Sequence, residues 1–150
     1  MALRAALLIM VAAGIAAAES PDDVRSQIEA SYARAIEAFR QAKTMDDLDE
    51  INRSFDTRDW RSISPGQQPR TWQELRQYGF EGLWAPFRST EFIIDRFELN
   101  GDTAILRGRL RTVNMKGEEG FIPLKETFHR TVAGWKRQVH QKFRAGETPN

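Results

Sequence analysis

The chain has 150 residues, 22 lysines and arginines against 21 aspartates and glutamates, and no cysteine. Balanced charge gives no argument for a nucleic-acid or membrane-surface partner, and the missing cysteine excludes disulfides and a lipoprotein anchor. Stability must then come from packing alone.

The opening MALRAALLIMVAAGIAAAES reads as a targeting segment. Arg4 supplies the positive start, Ala5 to Ile15 the apolar core, and Ala16-Ala17-Ala18 the small-residue cleavage site. The apolar run is short for a membrane span of about 20 residues. Cleavage is expected after Ala18, giving a periplasmic or secreted protein with no stable membrane anchor. Positions 19–150 then form one domain, and losing Arg4 leaves 21 basic against 21 acidic side chains.

Helices are expected first. Ser20 caps one, with Pro21 at its first position and Asp22 and Asp23 near the positive end of its dipole. Val24, Ile28, Tyr32, Ile36 and Phe39 form its buried stripe. Thr44 with Asp47 opens a second helix, whose apolar face is Met45, Leu48, Ile51 and Phe55. The stretch DTRDWRSISPGQQPR reads as a loop with a short strand near Asp59 to Ile63. Thr71 with Glu74 opens a third helix, with Trp72, Leu75, Tyr78 and Leu83 turned inward and Pro86 as its stop.

A meander of four strands follows. Asn100-Gly101 is the strongest hairpin signal and pairs Phe97 with Ala104, Asp95 with Leu106 and Ile93 with Gly108. A looser turn at KGEEG brings Leu110 to Leu124 and Gly108 to Glu126. A last turn at Ala133-Gly134 pairs Arg130 with Arg137, Phe128 with Val139 and Glu126 with Gln141. Helices then strands imply an α+β fold, three N-terminal helices covering one face of an antiparallel sheet.

Strand alternation sorts that sheet into faces. Ile93, Phe97, Leu99, Leu106, Leu110, Ile122, Leu124, Phe128, Val132, Trp135, Val139 and Phe143 fall on the covered face. Asp95, Glu126, Arg130, Arg137 and Gln141 intrude on it and would line a hollow. The outer face gathers Arg96, Arg107, Arg109, Arg111, Lys125, His129, Lys136, His140 and Lys142, with Phe92, Ile94, Ile105, Val113 and Phe121 between them. Two readings are open for that face: an anion-binding or dimer surface, or a solvated face whose long stems cover aliphatics.

The order of elements, with "DW…SPG", "LNGDTAILRGRL" and "GWKRQVHQKF", resembles the SnoaL-like branch of the nuclear-transport-factor-two-like superfamily. The resemblance covers nearly all of positions 19–150. It implies a cone of helices in a curved sheet with a ligand pocket at the open end, in a family that includes ketosteroid isomerase, scytalone dehydratase, polyketide cyclases and non-catalytic modules. Fold does not fix function in such a family.

Asp95 and Glu126 are the candidate catalytic residues. A carboxylate in an apolar pocket is pushed toward pKa values useful for proton transfer. The alternative is that each simply pairs with Arg130 or Arg137. Asp59, Trp60, Tyr78, Arg130, Arg137 and Gln141 are the candidate ligand-binding residues. His129 and His140 fall outside the hollow in this register, which argues against histidine-based dehydration and against a metal site. No cofactor motif is present. The expected occupant is a small organic molecule, with homodimer formation and no nucleic-acid partner; the rival is a non-catalytic module that dimerises through its basic face.

Overall fold

Ser20 opens the fold, its Oγ accepting the Asp23 N–H at 3.2 Å. The computed structural model describes residues 19–84 and 88–150. The expected cleavage site and the Pro86 helix stop lie outside the described residues. Helix α1 (Pro21–Gln41) buries Val24, Ile28 and Tyr32 along one stripe. Helix α2 (Met45–Phe55) starts at a reciprocal capping box between Thr44 and Asp47 and buries Leu48 and Phe55. These caps are local, so the sequence shows them directly.

Strand β1 (Asp56–Ile63) follows α2 without a loop. The Thr71–Glu74 capping box then opens α3 (Trp72–Leu75), but the expected third helix breaks into a 3₁₀ turn (Arg76–Tyr78) and α4 (Gly79–Trp84). Gly79 lies at the break with φ of +77°, a backbone state that only glycine adopts without cost. Two hydrogen bonds hold this broken segment. Trp72 Nε1 donates to Asp49 at 2.7 Å, and Trp84 Nε1 donates to the Phe39 carbonyl at 2.8 Å.

Strands β2 (Arg88–Asn100), β3 (Thr103–Val113), β4 (Glu119–Thr131) and β5 (Gly134–Lys142) form the expected meander. The sheet runs β1-β5-β4-β3-β2 among the described residues, and β1 joins β5 in parallel. The sheet is therefore mixed rather than purely antiparallel. The α+β layering is as expected, with α1 packed on the sheet through Tyr32, which stacks on Phe92 at 4.8 Å and meets Phe55 edge-on at 5.3 Å.

Both hairpin turns slip relative to expectation. The first turns at Gly101-Asp102, with Gly101 at φ +58°, and pairs Leu99 with Ala104 and Phe97 with Leu106. The second pairs Arg130 with Trp135 and leaves Val132 exposed at the turn rather than in the core. Next to the turns these slips move partners by two residues, so faces are kept. The bulges at Asp95 and Gln138 do not keep them. On β2 the pairing steps from Arg96–Arg107 to Ile94–Gly108, leaving Asp95 over; on β5 it steps from Phe128–Arg137 to Thr127–Val139, leaving Gln138 over.

Each extra residue exchanges the faces beyond it. Phe92 and Ile94 turn inward against α1 and Ile93 turns out, the reverse of expectation. His140 and Lys142 turn inward, while Val139 and Gln141 take the other face. Bulges also bend strands, which curves this sheet around α1. Gly108 sits opposite the first bulge, where an added Cβ would overlap the Ile93 carbonyl oxygen and approach the Ile94 Cα to 3.2 Å. Gly108→Ala should therefore cost about 3 kcal/mol by forcing two strand backbones apart, measured by equilibrium chemical denaturation.

Candidate functional site

Where α2 becomes β1, Asp56 is carried into the cone, and β5 brings Arg137 to it. Arg137 Nε donates to Asp56 Oδ1 at 2.8 Å and Nη2 to Oδ2 at 3.4 Å. Its Nη1 reaches Glu126 Oε2 at 3.4 Å, and the guanidinium lies 4.8 Å from the Phe55 ring centroid and 5.3 Å from that of Trp60. Asn52 Nδ2 adds a hydrogen bond to Asp56 at 3.0 Å. His140 Nδ1 contacts the other Glu126 oxygen. Glu126 is fully buried, and Asp56 is 6% exposed.

Burial shifts these groups in different directions. Asp56 is pushed up by desolvation, against the pull of Arg137. Desolvation works against the Arg137 charge, but Asp56 and Glu126 outweigh it and hold the guanidinium up. The Tyr32 phenol is pushed well up by burial and by the Glu126 charge. His140 is held down by burial, with Glu126 opposing, and Lys142 is lowered by burial and then by Arg137. His140 Nδ1 faces both Glu126 and, at 3.3 Å, Arg137 Nη1, so its tautomer sets whether it donates to the carboxylate or accepts from the guanidinium.

Above this charged floor is a cavity of about 450 Å³. Tyr32, Phe55, Trp60 and Leu110 wall its buried end, together with Arg137, His140 and Lys142. Phe39, Trp72 and Leu83 extend the wall, and the exposed residues Gln67, Tyr78 and Gly82 mark the open side. Arg70 stands there, its guanidinium 5.4 Å from the Tyr78 ring and donating to the phenol. Asp56 and Glu126 are not among the cavity's lining residues. They stand behind the cations.

The expected site residues separate accordingly. Glu126, Arg137 and Trp60 come together at the floor, and Tyr78 stands at the open side. Asp95 does not reach the interior: it occupies the bulge, 54% exposed at its side chain, and meets Arg109 at 3.4 Å on the outer face. Asp59 is exposed and held by Thr57 at 2.7 Å and Gln138 at 3.0 Å. Arg130 sits at the far end of the sheet, bonded to Glu19 and Asp102 and 4.8 Å from the Trp135 ring. Gln141 pairs with Lys125 across β4 and takes the face opposite His140.

Asp56, His140 and Lys142 were outside the expected site. Asp56 stands at an even spacing from the buried Trp60 and Ser62, although Arg58 between them is exposed. The β5 bulge that turns His140 and Lys142 inward has no signal in the sequence. Among the described residues no group of three or more histidines and carboxylates is placed to hold a metal ion. No helix there is long and apolar enough to cross a membrane.

The architecture recurs in solved structures. A nuclear-transport-factor-two-like protein of unknown function from Shewanella oneidensis aligns with a TM-score of 0.60 at 16% identity, over 82% of this chain and 98% of its own. A protein of unknown function with a cystatin-like fold from Nostoc punctiforme gives 0.60 at 19% identity, over 87% and 96%. A nuclear-transport-factor-two-like protein from Novosphingobium aromaticivorans gives 0.57 at 18% identity, over 82% and 83%. No protein-family model matches the chain, and a search of curated proteins finds no match. The chain has the nuclear-transport-factor-two-like cone fold.

Arg137→Met should cost about 3–5 kcal/mol, because it leaves Asp56 and Glu126 buried without their cation. Asp95→Asn, at an exposed bulge, should change stability by less than about 0.5 kcal/mol. Parallel denaturation curves of the two variants check both values.

The depressed His140 pKa fixes a second outcome. As pH falls below about 6.5, the unfolded chain protonates its histidine before the native chain does, so stability drops with pH. The lowered Lys142 acts in the same sense nearer its own ordinary range, and the raised Asp56 in the opposite sense. Thermal midpoints should fall between about pH 7.5 and about pH 5.5, and His140→Gln should flatten that fall.

Proposed function

We propose that this protein is an exported domain that holds one small organic molecule in its cone cavity. The observation that carries this reading is a largely apolar cavity of about 450 Å³ with a polar buried end. Small-molecule sites typically enclose about 300–1,000 Å³, with mostly apolar walls and a few fixed polar groups. Export is supported by the targeting segment alone, and the SnoaL-like branch by the order of the sequence motifs.

Binding is better supported than carboxylate catalysis. Asp56 and Glu126 are paired and shielded, so neither faces an occupant directly. His140 is the cavity-lining group suited to exchange a proton, with Glu126 fixing its ring. The rival reading, a non-catalytic module, calls for carboxylates satisfied by Arg130 and Arg137, which Glu126 meets through Arg137, and for a cone filled by its aromatic residues. Trp72 and Trp84 instead spend their indole N–H groups on Asp49 and Phe39. Association through the outer face was expected partly from Phe92 and Ile94, and both of these turn inward.

Native mass spectrometry of the protein purified from the cells that make it tests this directly. The expected spectrum has a chain beginning at Glu19 and a satellite carrying one small molecule, released on denaturation. A bare chain, together with no thermal shift from any member of a small-molecule library, would remove the binding reading.

A further inference from the structure

The charges at the buried end of the cavity already have partners. Arg137 spends Nε and Nη2 on Asp56 and Nη1 on Glu126, and Lys142 is engaged as well. Two groups beside them are not. Ser62 and His140 are register partners across the parallel strands β1 and β5, so both side chains fall on one face of the sheet. Both line the cavity, at 7% and 8% exposure. The Ser62 N–H and carbonyl pair with Arg70, which leaves the hydroxyl over. His140 turns Nδ1 to Glu126, which does not line the cavity, so the ring presents Nε2 to it. Among the described residues neither the Ser62 hydroxyl nor His140 Nε2 has a hydrogen-bond partner.

From this we infer that the molecule bound is an uncharged alcohol or phenol, an apolar body whose one hydroxyl sits between Ser62 and His140. The inference rests on the cavity-binding reading above. A hydroxyl suits both neighbours, since it accepts one hydrogen bond and donates another. The Ser62 hydroxyl donates to it, and His140 Nε2 accepts from it. That role needs the His140 proton on Nδ1. The Glu126 carboxylate only accepts, and a bare Nδ1 would set two lone pairs against each other, so their contact favours Nδ1–H. Burial outweighs the pull of Glu126 and keeps the ring neutral. A carboxylate in the same place would be stripped of water beside an arginine whose three donor nitrogens are already taken. The wall of Ile36, Phe39, Trp72 and Leu83 offers aliphatic and aromatic contact, which suits an apolar body.

Four probes on one ring system test this: 2-naphthol, its methyl ether, 2-methylnaphthalene and 2-naphthoate, each measured by equilibrium dialysis against the whole exported chain at neutral pH. The naphthol is expected to bind about tenfold more tightly than 2-methylnaphthalene, which has the same shape without the hydrogen bonds. The ether accepts from Ser62 but gives His140 nothing, so it should fall between them, and the naphthoate should bind less tightly than the naphthol. Ser62→Ala should lower affinity for the naphthol several-fold while leaving 2-methylnaphthalene binding unchanged, which also shows that the variant is folded. Equal binding of the naphthol and 2-methylnaphthalene overturns the hydroxyl subsite and leaves the cavity reading standing. Tighter binding of the naphthoate does the same to the uncharged assignment. Naphthol affinity that Ser62→Ala does not move overturns the role given to Ser62, and an ether that matches the naphthol overturns that of His140. Binding of none of the four overturns both readings together.

Discussion

One guanidinium holds the interior together. Arg137 joins Asp56 at the end of α2 to Glu126 in the middle of β4, so a single side chain ties the parallel edge strand to the meander. Burying two carboxylates costs several kcal/mol unless a cation and further hydrogen bonds compensate, and here Asn52 and His140 complete the set. The guanidinium itself packs between Phe55 and Trp60, where its flat faces suit the rings. Because β1 follows α2 without a loop, fixing Asp56 also fixes where β1 starts. The mixed sheet follows from that anchor.

The cavity survives because its walls are held outward. Trp72 and Arg76 are bonded to Asp49 on α2, and Trp84 is bonded to the last turn of α1, so the broken third helix stands over the cone rather than falling into it. Bulges such as those at Asp95 and Gln138 curve the sheet beneath. The fully buried stripe of α1 runs from Val24 to Tyr32, whose ring lies beside the charges of the floor, and Ile36 and Phe39 continue it along the cavity wall.

The outer face has the opposite character. Its arginines are each matched: Arg96 and Arg107 share Glu98, Arg109 meets Asp95, and Arg111 lies between Glu91 and Glu119. Exposed pairs of this kind contribute from nothing to about 1 kcal/mol each. They make a charge-balanced ladder along this face. The cation turned inward is instead buried and held by two carboxylates, Asp56 and Glu126 on Arg137.

Local signals were legible in the sequence. The caps at Ser20, Thr44 and Thr71, the α1 stripe and the existence of both hairpins each depend on residues within a few positions of one another. Alternation placed Phe97, Leu106, Leu110, Leu124 and Phe128 inward correctly, and with them Glu126 and Arg137. It failed beyond Asp95 and Gln138. A bulge adds one residue to one strand, and nothing in IIDRF or RQVH marks where that residue falls. Its position is set by how the neighbouring strand and the packed helix accept the bend. Since side chains alternate with a period of two, one extra residue exchanges every face after it. That is why the sequence by itself determined the cone and its buried pair, whereas only the tertiary structure decided that Asp95 faces solvent and that His140 and Lys142 face the cavity.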